Sequence, residues 1–514
     1  MRQGEPPAWW KRFWQGSVTS GIGIVVAIAL ALTLLHTLVN NRYGFHRDEL
    51  LTINNARRLA WGYVVYPPIT AFLARLELEL FGASLRGFRF FAAAAQSLAV
   101  LSTALAARQL GGKREAQVVA AAAVAIGGHS LVQGSFFSYT SFDFPCWVLV
   151  AYFVIRLLRS ENPRWCLAVG AAIGLGMMAK YSMAFLALGV AAGLLLTPAR
   201  RYLKSPWLWF GVIVASVIML PNAIWQVRHH FVSLDYLMAI HARDIRLGWT
   251  DHFLLGQLWK TTNPVTVPLW CAGLGYLFRT AQGKRYRMLG WMYVVPLLTL
   301  LAVRGRDYYL APAYPMLLAA GAVWGEQWIS SLSSGSKITV RQTTWQSLAI
   351  AGLCTAAVTL PIAPLNSGWW RLANSANGIF DNEIGWPDLV QEVAKVRDSL
   401  PAADRARLGI LAYDEGEAGA VNLYGPAYGL PGAISGMNSN WERGYGNPPP
   451  QTIIVLGEHR DFVEQNFRTW TLVGHVTNRY GIRNSSVAAW NEIFVCRNLR
   501  QPWPDFWKKF RYYG

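Results

Sequence analysis

Two adjacent carboxylates, Asp48 and Glu49, stand about nine residues beyond the first long apolar run, beside His46 and Arg47. A carboxylate among cations is placed to take a proton from a hydroxyl as a general base. The same pair would also cap the positive end of a helix starting there. Capping needs only one acid, however, and leaves unexplained the long aromatic-rich stretch that ends in Tyr66-Pro67-Pro68. Asp143, in SFFSYTSFDFPCW, sits at the end of another apolar run. Ionisable groups so near a span are functional candidates, the alternative being a capping or snorkelling acid. Lys180 divides two short apolar stretches, and Arg304, Arg306 and Asp307 precede Tyr308 and Tyr309. Those cations could anchor to lipid headgroups or hold a phosphate, which a planar guanidinium suits. His229, His230, His241 and Asp244 could bind a divalent metal together with Asp48. No ligand pair among them has diagnostic spacing, so the residues leave metal use open. Asp414-Glu415 follows a strand-like run, where ligands often bind, but a helix N-cap with an acidic first turn is the preferred reading of it.

The elements that must position these residues are mostly apolar. The chain has 514 residues, 53% hydrophobic and 15% charged, against about 25% charged in soluble domains. Disorder and an ordinary cytosolic enzyme are excluded. A net charge of +19 would suggest a nucleic-acid partner, but its location argues otherwise. Residues 1–363 hold 32 Lys and Arg against 13 Asp and Glu, whereas 364–514 hold 15 of each. Five cysteines form no CxxC or Cys/His pattern.

Apolar runs near 18–39, 88–107, 116–133, 142–158, 207–227, 264–278, 288–303, 308–329 and 345–363 approach the ~20 residues of a membrane-crossing helix. Segment 165–198 is too long for one crossing. Basic clusters flank it on both sides, so the chain is expected to go out and back with Lys180-Tyr181 at the turn, giving eleven spans. With the N-terminus inside, the cytoplasmic segments are 1–17, 108–115, 156–164, 198–206, 279–287 and 329–345. They carry 18 Lys and Arg. Their acids are Glu5, Glu115 and Glu161, with Glu326 just before the last segment. That bias places 364–514 outside. The first apolar run is longer than a signal-peptide core and reads as a retained helix.

The first outer loop, about 40–87, is expected to form two short helices along the membrane surface, separated at Pro67-Pro68. A second long outer loop, 228–263, carries His241, Arg243 and Asp244. In 364–514, WPDLVQEVAKVRDSL alternates with the strand-like LGILAY, TIIVLG and EIFVC, predicting a small extracytoplasmic α/β domain without a nucleotide-binding loop.

The motifs FHRDE (45–49), WGYVVYPP (61–68), GLGMMAKYS (174–182), RGRDYYLAPAYP (304–315) and GEAGAVNLYGPAYGLP (416–431) resemble the bacterial branch of glycosyltransferase family 39. These are polytopic GT-C enzymes related to protein O-mannosyltransferases and to the lipid A aminoarabinose transferase. The resemblance covers most of the chain. It implies a transmembrane glycosyltransferase domain over 1–363 and an outer domain over 364–514. Asp48 would be the catalytic base or hold the acceptor, Glu49 would assist, and Asp143 would be a second acid near the cavity. Lys180, Arg304 and Arg306 would face the donor phosphate, and Tyr66, His241, Arg243, Asp307 and Tyr308 would line the cavity. Family members differ in metal use, so a divalent ion stays open as cofactor.

The reaction expected is inverting transfer of one sugar from a polyprenyl phosphate to a glycolipid, glycan or protein acceptor outside the bacterial inner membrane. A transporter or flippase of lipid-linked sugars is the rival from another class. It would show repeats and midplane ionisable groups, whereas here the ionisable groups gather at one face. A membrane-anchored binding protein would not need eleven spans.

Overall fold

The computed structural model describes residues 21–484, 487 and 491–514. The basic segment 1–17 and the expected start of the first span at 18 lie outside the described residues. Four helices are long and apolar enough to cross a bilayer: Ile22–Val39, Leu85–Gln109, Tyr139–Ser160 and Pro206–Arg228. Two bent pairs could each form one more crossing: Arg114–Ala125 with Gly128–Gly134 at 62°, and Met183–Leu196 with Pro198–Lys204 at 101°. The run 116–133, expected as one helix, is therefore broken. Gly127-Gly128 lies at the bend, and the Gly128 amide donates to the Thr262 carbonyl outside the helix. Helices Trp165–Ala179, Val267–Arg279, Arg287–Ala302, Tyr314–Ser331 and Ser334–Thr359 fall near the remaining expected runs.

Segment 165–198 turns where charge predicted. Helix Trp165–Ala179 ends and Met183–Leu196 begins, leaving Lys180, Tyr181 and Ser182 between them. A Cβ on Gly170 would lie 2.0 Å from the Gly211 carbonyl oxygen, so glycine lets this helix approach Pro206–Arg228 at backbone distance. The described basic segments gather at one end of the bundle. Arg159 donates to the Arg108 carbonyl, Arg201 and Arg285 both reach Glu161, and Arg341 pairs with Glu115.

The first loop contains helix Arg47–Ala56 (α1) and helix Ile69–Phe81 on either side of Pro67-Pro68. The expectation that the first lies along the membrane surface is not met: Glu49 through Ala56 are all buried. Its polar residues meet protein rather than water. Asn54 donates to Asn440 Oδ1 at 3.0 Å and accepts from Asn422 Nδ2 at 3.2 Å. Leu59 and Trp61 lie beyond its end and are exposed.

Two further helices, Tyr139–Ser160 (α2) and Val232–Arg246 (α3), carry tyrosines and charged groups near the first loop. Beyond residue 400 lie Glu415–Tyr424 (α4) and a five-stranded sheet of order β2-β1-β3-β5-β4. Its strands are β1 Leu408–Ala412, β2 Ala433–Ile434, β3 Thr452–Leu456, β4 Phe467–His475 and β5 Glu492–Leu499. β1 pairs in parallel with β2 and β3, and β5 is antiparallel to β3 and β4. Leu50 and Ile53 of α1 share one apolar core with Val390, Ile410, Val421 and Ile454. The first loop and the sheet therefore fold around each other.

Candidate active site

At the start of α1 the two acids take different tasks. His46 is the N-cap: its Nδ1 accepts from the Asp48 amide at 3.1 Å, and its own amide donates to Glu49 Oε2 at 2.8 Å. Burial holds the His46 imidazole below its ordinary range, consistent with a neutral ring that accepts at Nδ1. Capping is thus supplied by His46 and Glu49, and the Asp48 carboxylate is left free. One third exposed, it lines a cavity of about 1540 Å³ and stands 3.4 Å from Arg47 Nε.

Glu49 does not line that cavity. Arg89 Nε and Nη2 donate to its two oxygens at 2.8 and 2.7 Å, and the Phe137 amide donates at 2.8 Å. Both side chains of this ion pair are fully buried. The expectation of a catalytic assistant is corrected: with its oxygens taken by four donors, Glu49 is a structural anchor. Glu383 approaches the same guanidinium at 3.5 Å, tying the C-terminal part to the loop, and burial pushes the Glu383 carboxyl up to about 8.

On the cavity wall, Lys180 is enclosed by aromatic rings. Its Nζ lies 5.3, 4.7 and 4.3 Å from the centroids of Tyr139, Tyr308 and Tyr309, and 3.3 Å from Thr140 Oγ1. Arg306 also lines the cavity and donates to both oxygens of Asp244 through Nε and Nη2. Trp249 lies between Arg243 and Arg306, at 5.2 and 5.0 Å. Arg243 lines the cavity too, and its buried Nε has no partner among the described residues. Arg304 does not: it pairs with Asp251 at 2.9 Å in an exposed bridge. Its assignment to the donor phosphate is corrected.

Asp143 likewise stands outside the cavity lining. Its oxygens accept from Trp147 Nε1 at 3.1 Å and Ser182 Oγ at 3.2 Å, so it braces the turn that carries Lys180. The second acid expected near the cavity stands just behind its wall, held there by Ser182 in a positioning role and not as a catalytic group on the wall. Tyr66, His241, Asp307 and Tyr308 all line the cavity. The Tyr66 hydroxyl lies between Asn55 Nδ2 and Thr52 Oγ1, and Asp307 pairs with Lys260 at 3.1 Å.

The proposed metal set does not assemble: among the described residues no group of three His, Cys, Asp or Glu could hold an ion. His229 stacks on Trp225 at 3.9 Å, away from the cavity. These residues do not fit a divalent metal.

Asp414 takes the expected N-cap place, forming a reciprocal capping box with Glu417. It also reaches across to Arg47, at 3.7 Å. Its neighbour Glu415 lines the cavity, as does Tyr236 of α3. In the sequence Asp414-Glu415 had only its position after a strand to mark it, a signal shared with any helix start.

Residues 65–225 match the family model described as dolichyl-phosphate-mannose-protein mannosyltransferase. The lipid A galacturonosyltransferase RgtD of Rhizobium johnstonii is 27% identical over 303 residues, which span 56% of this chain and 61% of that protein. The crystal structure of ArnT from Cupriavidus metallidurans in the apo state superposes with a TM-score of 0.56 at 13% identity, covering 93% of this chain and 98% of that one. The same protein bound to undecaprenyl phosphate gives 0.55 at 15%, covering 92% and 97%. The family model and the galacturonosyltransferase relative bear out the likeness to GT-C glycosyltransferases read from the sequence motifs, and the superposed structures share the fold.

Proposed function

Because the chain is a relative of GT-C glycosyltransferases, we propose that it is a membrane enzyme transferring one sugar from a polyprenyl-phosphate donor to an acceptor on the extracytoplasmic face. The observation that carries this reading is the meeting of Asp48 with Lys180 and Arg306 on one cavity, although they come from stretches far apart in sequence. Asp48 takes the proton of the acceptor hydroxyl or amine as that atom attacks the anomeric carbon. The carbon–phosphate oxygen bond breaks, and the departing phosphate takes the electron pair. Lys180 and the remaining donors of Arg306 and Arg243 stabilise the charge gathering there. Asp244, by occupying Nε and Nη2 of Arg306, fixes the guanidinium plane so that Nη1 stays available. One displacement of this kind inverts the anomeric centre.

The basic end of the bundle supports an orientation with that end in the cytoplasm, and the matching folds, one carrying undecaprenyl phosphate, support the donor class. The galacturonosyltransferase relative supports a glycolipid acceptor. Mass spectrometry of envelope glycolipids from cells with and without the active protein tests this. A sugar-sized mass increment present only with the protein is expected; identical envelopes would refute the transfer.

A further inference from the structure

The cavity wall facing Asp48 is built by the C-terminal part of the chain. The tight fit of α4 on α1 makes this possible: a Cβ on Gly419 would lie 2.7–2.9 Å from Leu50 atoms, its backbone included. Contact at that distance brings the first turn of α4 against the first turn of α1. Glu415 occupies that turn and is 5% exposed. Asn438 Nδ2 donates to its Oε2 at 2.6 Å, and among the described residues nothing donates to Oε1. Asn438 is 2% exposed, and its own Oδ1 has no partner among the described residues. On the cavity wall, one oxygen of the Glu415 carboxyl is therefore left with open hydrogen-bonding capacity, while Asn438, which does not line the cavity, holds the other. A half-satisfied carboxyl in a largely buried place is costly, and a polar ligand group in the cavity would complete its hydrogen bonding.

We propose that Glu415 is a substrate-binding group of this cavity, hydrogen-bonding a polar group of the acceptor next to the atom that Asp48 deprotonates. Residues 364–514 then complete the site instead of accompanying it. The inference rests on the transferase reading and adds the acceptor's docking point to it. A hydroxylated headgroup, with a second polar group beside the nucleophilic one, is the acceptor chemistry this pair suits. The groups facing Glu415 are Asp48 and Arg47 of α1, Asp414 of its own helix, Tyr66 of the loop and Tyr236 of α3. Burial, then Asp48 and Asp414, push the Glu415 carboxyl up to about 8. Near neutrality it carries its proton and offers the acceptor an O–H donor; as pH rises through about 8 that donor is lost.

Washed membranes containing the full chain, with their own donor and acceptor pools, provide the assay: sugar added to envelope lipid is quantified by mass spectrometry from pH 6.5 to 9. Purified variants are checked for binding of undecaprenyl phosphate. Glu415→Ala should lower product about tenfold or more, the loss of one well-placed hydrogen bond to substrate, while undecaprenyl phosphate binding stays within about twofold. Glu415→Gln, which cannot ionise and keeps an N–H donor, should recover much of that product and flatten the alkaline decline. Product from Glu415→Ala equal to wild type, or an alkaline decline in Glu415→Gln matching wild type, would overturn the proposal. Asp48→Asn runs in parallel: turnover by that variant sinks the base assignment and leaves the Glu415 result standing on its own. Wild-type membranes that add no sugar sink the transferase reading and this inference together.

Discussion

At Asp48-Glu49, neighbouring positions on a helix point about 100° apart, so one acid can enter the core while the next faces a cavity. The sequence marked this pair as chemically promising but could not divide it, because the partner that claims Glu49 is Arg89, forty residues on. Removing one side of a buried ion pair leaves an uncompensated charge, costing about 3–5 kcal/mol. Arg89→Ala should therefore lower the thermal unfolding temperature of the purified protein sharply. Glu49→Gln, which keeps shape and some hydrogen bonds, should lower it less. At the opposite wall, Arg306→Ala should weaken undecaprenyl phosphate binding about tenfold, measured by titration, whereas Arg304→Ala should leave it unchanged because that side chain is turned away. The two arginines were equivalent in the sequence, and the partners they meet in the fold separate them: an exposed Asp251 for Arg304 and a buried Asp244 for Arg306.

At the scale of elements, periodicity located what burial makes regular. Helices Ile69–Phe81 and Trp386–Ser399 and strands β1, β3 and β5 fall where apolar patterning placed them. β4 was missed because its FRTWTLVGH is an edge strand with most residues exposed, and β2 because it has two residues. The bend at Gly127-Gly128 was hidden by a continuous apolar run. The setting of α1 was misread for a related reason: an amphipathic pattern reports two unlike faces and cannot tell a polar protein neighbour from water. The contact of α1 with α4 supplies the test at this scale. Gly419→Leu must force the helices apart, and overpacking of this kind costs about 1–3 kcal/mol. Reduced thermal stability together with reduced transfer is expected, with both measured on the same preparation.

For the whole molecule, the +19 divides by face. The proposed orientation rests on the described basic segments gathered at one end of the bundle, and residues 364–514 carry balanced charge. The cations that remain for chemistry lie around the cavity at the other end. Glu383, Glu415 and Glu458 of the sheet-bearing part are each pushed up to about 8, burial being the largest cause. Acids raised in this way bind more protons folded than unfolded between about pH 4.5 and 8, so their contribution to stability falls as pH rises through that window. Glu458→Gln should make the unfolding temperature less sensitive to pH across it. Removing 364–514 should abolish transfer, since it strips the buried face of α1 and one wall of the cavity; a truncated chain that still transfers sugar would show that part to be dispensable. The central claim is that Asp48 is the base. Transfer assayed in membranes with Asp48→Asn at wild-type abundance tests it most directly. Product should fall at least about a hundredfold, the usual minimum contribution of general-base catalysis, with undecaprenyl phosphate still bound. Turnover near the wild-type rate would contradict the account.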